Sequence, residues 1–498
     1  MTERWNRDQV LALAPDASSQ KAAQGVSSPG KWSGAGATAG ALWGECRGSG
    51  SKPYLACVDL SEPAYRCSCP SRKFPCKHAL GLLLLWSAGG VPDASGPADW
   101  AAEWLDRRRD RAARAAIRPP APADGDGTEA YGDAAEGGDE AAGAGGGAAE
   151  AGGQADGGGR ADGGATAGGA GRAGGAALAA GPGGPADARR AAQRERRVAA
   201  GLAELERWLA DQVRQGLVAS RRHDQWDDLA KRLVDAQAPA VAGAVSRLGA
   251  VLSGDDWPAR LLGEYALLHL LAVSHRRLTS TAAAPAELGS ALLRTVRERV
   301  GFPVAKEEVL AGETVRDRWD VLGRRDTEQD RITARRVWLR GRSTGRAALV
   351  LSFAPVGQAL DASLVTGTTV DADLAFYPGS CPLRALVAAR HDPAPHLSAG
   401  PPPGSTVDGA LDEVARALAA DPWTDSWPLV LEAAVPAGST LRALSGPGGA
   451  LALHPSCGTP WRLVAASGGH PLTVAAEWTP EGLRPLTAWD GEGQVIVL

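Results

Sequence analysis

With 498 residues, 53 Lys and Arg against 57 Asp and Glu and a net charge of -4, the chain has material for two to four domains. That balance stands against nucleic acid as the partner, and cysteine fills only seven positions. No run reaches the roughly 18 to 20 uninterrupted apolar residues of a membrane span, so no membrane role is expected.

The chain opens Met1-Thr2-Glu3-Arg4-Trp5, charged and without a following apolar h-region, so it does not resemble a signal peptide and a reducing cytoplasmic location is expected. Ala41 to Cys46 and Pro53 to Asp59 read as short strands joined by the turn-rich Arg47 to Lys52, a β-hairpin. Centring that hairpin near Ser51 and Lys52 sets Cys46 and Cys57 roughly opposite each other, as small buried thiols or as additions to a metal cluster. After Pro63, Ala64 to Cys67 forms a third extended piece, and Ala79 to Trp86 an apolar helix.

Between that strand and that helix lie Cys67, Cys69, Cys76 and His78, spaced Cys-x-Cys, six residues, Cys-x-His. Three thiolates and an imidazole close a tetrahedral zinc site, with sulfur at about 2.3 Å and nitrogen at about 2.0 to 2.1 Å and no position left for substrate. One structural Zn2+ stapling strand to helix is the expectation. The alternatives are buried thiols or a disulfide; reducing cytoplasm opposes the second, and a relaxed bridge between Cys67 and Cys69 is hard to close.

Positions 67 to 78, Cys-Ser-Cys-Pro-Ser-Arg-Lys-Phe-Pro-Cys-Lys-His, resemble the SWIM zinc finger, as do Trp43 to Gly50 and the Leu-rich stretch after His78, and the chain looks like the bacterial SWIM zinc finger family proteins. The resemblance covers about the first 90 residues. It implies Cys67, Cys69, Cys76 and His78 as ligands and a module that binds DNA or proteins rather than one that performs a reaction. Arg66, Arg72, Lys73 and Lys77 surround the ligands with no acid between 65 and 78, a candidate nucleic-acid patch or a solvated cationic loop. Only Tyr65 and Phe74 stand nearby as stacking rings.

Asp99 to Arg118 reads as a helix with Trp100 and Trp104 one turn apart, set to pack back on the finger, and with arginines beyond that face phosphate or solvent. From about Pro119 to Pro185 the chain is mostly Gly and Ala, too poor in apolar side chains to offset its ordering entropy, so a disordered linker tethering the finger is expected. Val198, Leu202, Leu205, Leu209 and Val213, then Trp226, Leu229 and Leu233, then Val241, Val245, Leu248 and Leu252, recur at helical spacing. Ala259 to Val273 is apolar nearly all round and is expected as a central buried helix, followed by another over Glu287 to Val300.

From Val315 the pattern alternates: strands are expected at Trp319 and Val321, Ile332 to Leu339, Ala347 to Phe353, Leu429 to Val435, Leu441 to Leu444, Leu451 to His454, Trp461 to Ala465, Thr473 to Trp478 and Val495 to Leu498, with a helix at Val407 to Ala420. The chain thus divides into a zinc finger domain with flanking helices (1–118), a Gly/Ala-rich linker (119–186), an α-helical domain (187–301) and a mainly β domain (302–498). The fold class is multidomain α+β with a zinc-stapled ββα-like N-terminal module.

Three motifs bear on catalysis or a second metal site. Gly341-Arg342-Ser343-Thr344-Gly345 matches G-x-S-x-G but lies between two strands, where a nucleophile elbow needs strand then helix, so it reads as a polar turn. Gly48 to Lys52 lacks the phosphate-loop spacing, and Pro53 opposes the helix that should follow. His454, Cys457 and His470 lack a fourth ligand. The reading is therefore a non-enzymatic, cytoplasmic zinc protein that binds a protein partner as module or scaffold, with DNA regulation through the basic finger and Arg-rich helix as the alternative, and no small-molecule substrate evident.

Overall fold

The computed structural model describes residues 4–48, 52–61, 63–71, 73–117, 185–218, 223–253, 256–280, 286–329, 331–356, 358, 360–391, 396–397, 400–443 and 449–498. The expected linker, 119–186, lies outside the described residues except for its last two, which open a helix. Among the described residues no helix is long and apolar enough to cross a membrane.

The N-terminal module begins with α1 (Arg7–Ala12) and α2 (Ala17–Gln24), continues through β1 (Trp32–Ala37), β2 (Ala41–Cys46), β3 (Tyr54–Asp59) and β4 (Ala64–Cys67), and ends with α3 (Lys77–Ser87) and α4 (Asp99–Ile117). The four strands form one antiparallel sheet in chain order. Every residue of α3 from His78 to Trp86 is buried. A helix apolar on all sides needs cover on all sides, so the sheet lies against one side and α1 and α2 pack on others. Gly81 makes the approach of α2 feasible: a Cβ there would stand 2.5 Å from Val26 Cγ2 and 3.2 Å from the Ala23 carbonyl.

Strand alternation divides this sheet between two cores. Leu42, Ala56, Val58, Tyr65 and Cys67 face α3, whereas Trp43 and Cys57 face Ala101 and Leu105 of α4 with Trp100 and Trp104 beside them. The tryptophan pair thus packs on the finger, as its one-turn spacing anticipated.

The helical region comprises α5 (Pro185–Gln215), α6 (His223–Asp235), α7 (Pro239–Val251), α8 (Trp257–Thr279), α9 (Ala286–Val300) and the short α10 (Lys306–Leu310). Val198, Leu202, Leu205 and Leu209 share one core with Trp226, Leu229, Leu233, Val241, Val245 and Leu248. Two expectations need correction. Val213, at the end of the first stripe, is 53% exposed. The helix expected to be central and fully buried, α8, buries a single stripe, Leu261, Tyr265, Leu268, Leu271 and Ala272, while Leu262 and Leu270 are exposed. Neighbouring helices cover only one of its faces, and an isolated exposed leucine is tolerated on a soluble surface.

Next come β5 (Thr314–Gln329), β6 (Ile332–Gly341), β7 (Ala347–Pro355), β8 (Thr368–Phe376), β9 (Arg384–Arg390) and β10 (His396–Leu397). Pairing runs β5 to β6 to β7 to β9 to β8 and back to β5, so five strands close a ring, with β10 appended to β8. Among the described strands of this sheet, only β7 and β9 pair in parallel. Closure removes open edges, and Trp319, Val321, Val337, Leu339, Val370 and Leu374 form a shared core.

The last sheet is built from β11 (Trp427–Ala437), β12 (Thr440–Ala443), β13 (Ala450–Ala452), β14 (Leu472–Thr479), β15 (Gly482–Trp489) and β16 (Val495–Val497), in the order β13-β12-β11-β14-β15-β16. On one face it packs α11 (Val407–Ala420) and α12 (Trp461–Ser467). From the other face Val430, Ala475 and Trp489 meet Leu322, Trp338 and Leu349 of the closed ring. The strand expected at Trp461 to Ala465 is the helix α12. A strand would set Trp461, Leu463 and Ala465 on one face, whereas the helix buries Leu463 and Ser467 one turn apart and leaves Trp461 72% exposed.

The finger is docked on these sheets. Val365, in the segment before β8, belongs to the α3 core. Gln9 Nε2 donates to the Thr366 carbonyl at 3.1 Å and Asn6 Nδ2 to the Val495 carbonyl at 2.9 Å. The expectation of a finger free to search on a tether is thereby corrected, because Asn6, Gln9 and the α3 core make these contacts with the segment before β8 and with β16.

Candidate metal centre

The ligand residues converge because strand, turn and helix converge. β4 ends on Cys67, the turn carries Cys69, Cys76 is the N-cap of α3 with an extended backbone, and His78 lies in its first turn. One donor atom from each of Cys67, Cys69, Cys76 and His78 lies within 4.8 Å of all the others. Cys76 is 1% exposed and His78 is buried beside it. The Cys67 Sγ to His78 Nδ1 separation is 3.7 Å, against about 3.6 Å for the sulfur–nitrogen edge of a zinc tetrahedron built from ordinary bond lengths.

The electrostatics of the donor set also call for a cation. A hydrogen bond from Cys67 pulls the Cys76 thiol down to about 4, against burial, with further bonds from His78, the Ala79 amide and Cys69. The same hydrogen bond, together with burial, pushes Cys67 far above the ordinary thiol range. Burial pushes Cys69 up as well. Three sulfurs this close cannot all carry negative charge unless a cation sits among them, and a divalent metal releases the retained protons. The set suits one structural zinc ion, held by four protein donors.

Supporting groups surround the donors. The Cys69 amide donates toward Cys67 and the Ser71 amide toward Cys69. Tyr54 stacks on the His78 ring at 4.7 Å, and Gly48 leaves it room, since a Cβ there would stand 2.6 Å from Tyr54 Cε2. The tyrosine thus positions the imidazole, and sequence reasoning assigned it no role. The available signal was strand period: Tyr54 and Ala56 share a face, and Ala56 is the register partner of Cys67.

The other cysteines of the hairpin do not face each other: Cys46 pairs with Tyr54 and Cys57 with Trp43. The two residues are not among the converging donors found in the described residues, and burial pushes the Cys57 thiol up to about 12. Nor do His454, Cys457 and His470 form a donor cluster there: His454 engages Ser456 and Arg484, and Cys457 points at the Leu483 carbonyl.

The four basic residues do not make one described patch. Arg66, exposed, pairs in register with Cys57 and shares the α4-facing side of the sheet. Lys73 is bonded to Asp16 at 2.6 Å and Ser18 at 3.3 Å, Lys77 is exposed at the start of α3, and Arg72 lies outside the described residues. On α4, Arg107 pairs with Glu103, Arg108 with Asp59 and Arg109 with Asp106; the side chains of Arg111, Arg114 and Arg118 lie outside the described residues. The finger has, in addition, a groove of about 740 Å3 lined by Lys31, Arg47, Tyr54, Ser71, Lys73 and Lys77 among others.

Gly341 to Gly345 is a turn between β6 and β7, organised by Asp317. That carboxylate accepts from the Arg318, Ser343 and Thr344 amides and from the Thr344 hydroxyl at 2.7 to 3.2 Å. Burial raises its pKa, but these bonds, led by the Thr344 hydroxyl, outweigh it and the net shift is downward. A depressed folded-state pKa stabilises above the ordinary carboxylate value of about 3.9, and the contribution fades as pH falls through the folded value. Asp317→Ala is expected to cost about 2 kcal/mol at neutral pH and to flatten the acid limb of stability, as read by urea unfolding between pH 3 and 7. Equal acid dependence in both proteins would remove this role.

Residues 57–86 match the SWIM zinc finger model, and residues 193–300 match the SWIM-associated four-helix bundle domain, which runs from within α5 to the end of α9. No curated protein and no solved structure matches the chain.

Proposed function

From the premise that this chain is a SWIM zinc finger family protein, we propose that its zinc is purely structural and that the finger is a cytoplasmic, non-enzymatic recognition platform for an acidic segment of a protein partner. The observation that carries this reading is the groove beside the metal. It combines the exposed cations Lys31, Arg47 and Lys77 with the fixed ring of Tyr54, and a volume of about 740 Å3 accommodates a short peptide.

DNA is the second reading, favoured by the same three cations. Against it, the cations described on α4 and Lys73 already have carboxylate partners, which leaves few charges to release counterions from a duplex. The zinc-loaded full chain, titrated by fluorescence anisotropy with a Glu-rich peptide and with a 20-base-pair duplex at several salt concentrations, separates the two. Peptide binding is expected, weakened about tenfold or more by Arg47→Glu with Lys77→Glu. Duplex binding with a steep inverse salt dependence would favour DNA instead, and binding of neither would remove the platform reading.

A further inference from the structure

Where the four-helix bundle meets the sheets lies a cavity of about 730 Å3 that neither the metal site nor the basic groove uses. Its walls are apolar: Val241 and Leu248 of α7, Leu268 and Leu271 of α8, and Phe302 and Val304 just past α9. Trp423, between α11 and β11, closes it, with its indole Nε1 donating to the Leu267 carbonyl at 2.9 Å. Apolar walls with a few placed charges are the usual form of a small-molecule site.

Six charged side chains line the cavity, and four of them are accounted for. Arg299 donates to Asp421 at 2.6 Å, and Asp425 lies 3.8 Å from Arg336. Arg247 and Glu264 are exposed to water, and Arg247 is the cation acting most strongly on Glu264. Glu298 and Arg384 differ. Both are half-buried, and neither the Glu298 carboxylate nor the Arg384 guanidinium makes a hydrogen bond or ion pair among the described residues. Arg384 instead lies over the Tyr377 ring, 4.1 Å from its centroid. It is near enough to act on Glu298, whose pKa burial raises against the pull of Arg299 and Arg384. Opposite charges that line one cavity without touching have each lost water without gaining a partner. A ligand carrying both an ammonium and a carboxylate supplies both partners through charge-assisted hydrogen bonds.

We propose that this cavity binds a free apolar α-amino acid as its zwitterion, with the ammonium on Glu298, the carboxylate on Arg384 and the side chain against Phe302, Val304 and Trp423. Because Glu298 belongs to α9 and Arg384 to β9, the bound ligand joins the helical bundle to the closed ring. The inference is independent of the peptide platform, which lies beside the metal.

Isothermal titration of the zinc-loaded full chain with L-leucine and, separately, with L-tryptophan tests the site. Saturable binding of about one equivalent of at least one of them is expected, weakened about tenfold or more in Glu298→Gln and in Arg384→Gln. Arg416→Gln, on α11 and away from the cavity lining, is expected to bind as the wild type. Isoamylamine and isocaproate for leucine, and tryptamine and indole-3-propionate for tryptophan, each keep one of the two charges and are expected to bind about tenfold or more weakly than the parent amino acid. That comparison needs only the wild type, so it decides the matter even if circular dichroism finds both variants unfolded. The proposal is overturned by no saturable binding of either amino acid, by affinity unchanged in a folded Glu298→Gln or Arg384→Gln, or by an amine or acid that binds as tightly as its parent.

Discussion

Cys76→Ser is expected to reduce bound zinc from about one equivalent to nearly none and to unfold the N-terminal module within an otherwise folded chain. Cys76 combines two duties: it is a donor at the N-cap position of α3, and its burial places the donor set against the helix core. Structural zinc in small fingers carries about 10 to 16 kcal/mol of apparent binding energy, which is folding energy where no site exists in the unfolded chain. The helical region and the two sheets have cores of their own, so their far-ultraviolet signal and cooperative unfolding should persist. Metal analysis and limited proteolysis of the purified variant read both effects. Cys46→Ser, outside the donor cluster, should keep its zinc. Retention of metal and protease resistance by Cys76→Ser would sink the zinc assignment.

Trp319→Ala is expected to destabilise the closed β ring by about 3 to 5 kcal/mol, the usual cost of truncating a large buried aromatic side chain. Trp319 is fully buried among Val321, Val337, Leu339 and Leu374, and its indole Nε1 donates to the Ala372 carbonyl at 3.0 Å. Truncation therefore leaves both a cavity and an unpaired carbonyl. Urea denaturation followed by the remaining tryptophans measures the loss. A change below about 1 kcal/mol would show that the ring does not depend on this side chain.

Legibility in the sequence followed the range of the interactions involved. Cys67, Cys69, Cys76 and His78 lie within twelve residues, and the strand, turn and helix that bring them together are local, so spacing and ligand chemistry identified the site. The stripes Val198 to Leu209 and Val241 to Leu248 were equally plain, because helical period is a local signal. β8, β9 and β15 were missed. In β8 Asp371 and Asp373 hold the outward positions of the alternation and, being poor strand formers, conceal it; Arg384 and Arg390 bracket β9, and Pro485 and Arg484 lie within β15. Trp461 to Ala465 looked like a strand because five residues are too few to separate period 2 from period 3.6, and burial of Leu463 settled the matter as a helix.

The basic residues show the same division. Composition counted Arg66, Arg72, Lys73 and Lys77 as one cluster, but alternation along β4 turns Arg66 to the α4-facing side, and Asp16, 57 residues upstream, engages Lys73. The role of Tyr54 under His78 depends on strand register.

By itself, then, the sequence determined the metal, its four ligands and the helical stripes, since each rests on residues close along the chain whose geometry is set by local backbone period. Only the tertiary structure decided that five strands close a ring and that the finger docks through Gln9 and Val365. Those outcomes depend on which distant apolar faces are buried together, and burial is a property of the packed chain that no local pattern encodes.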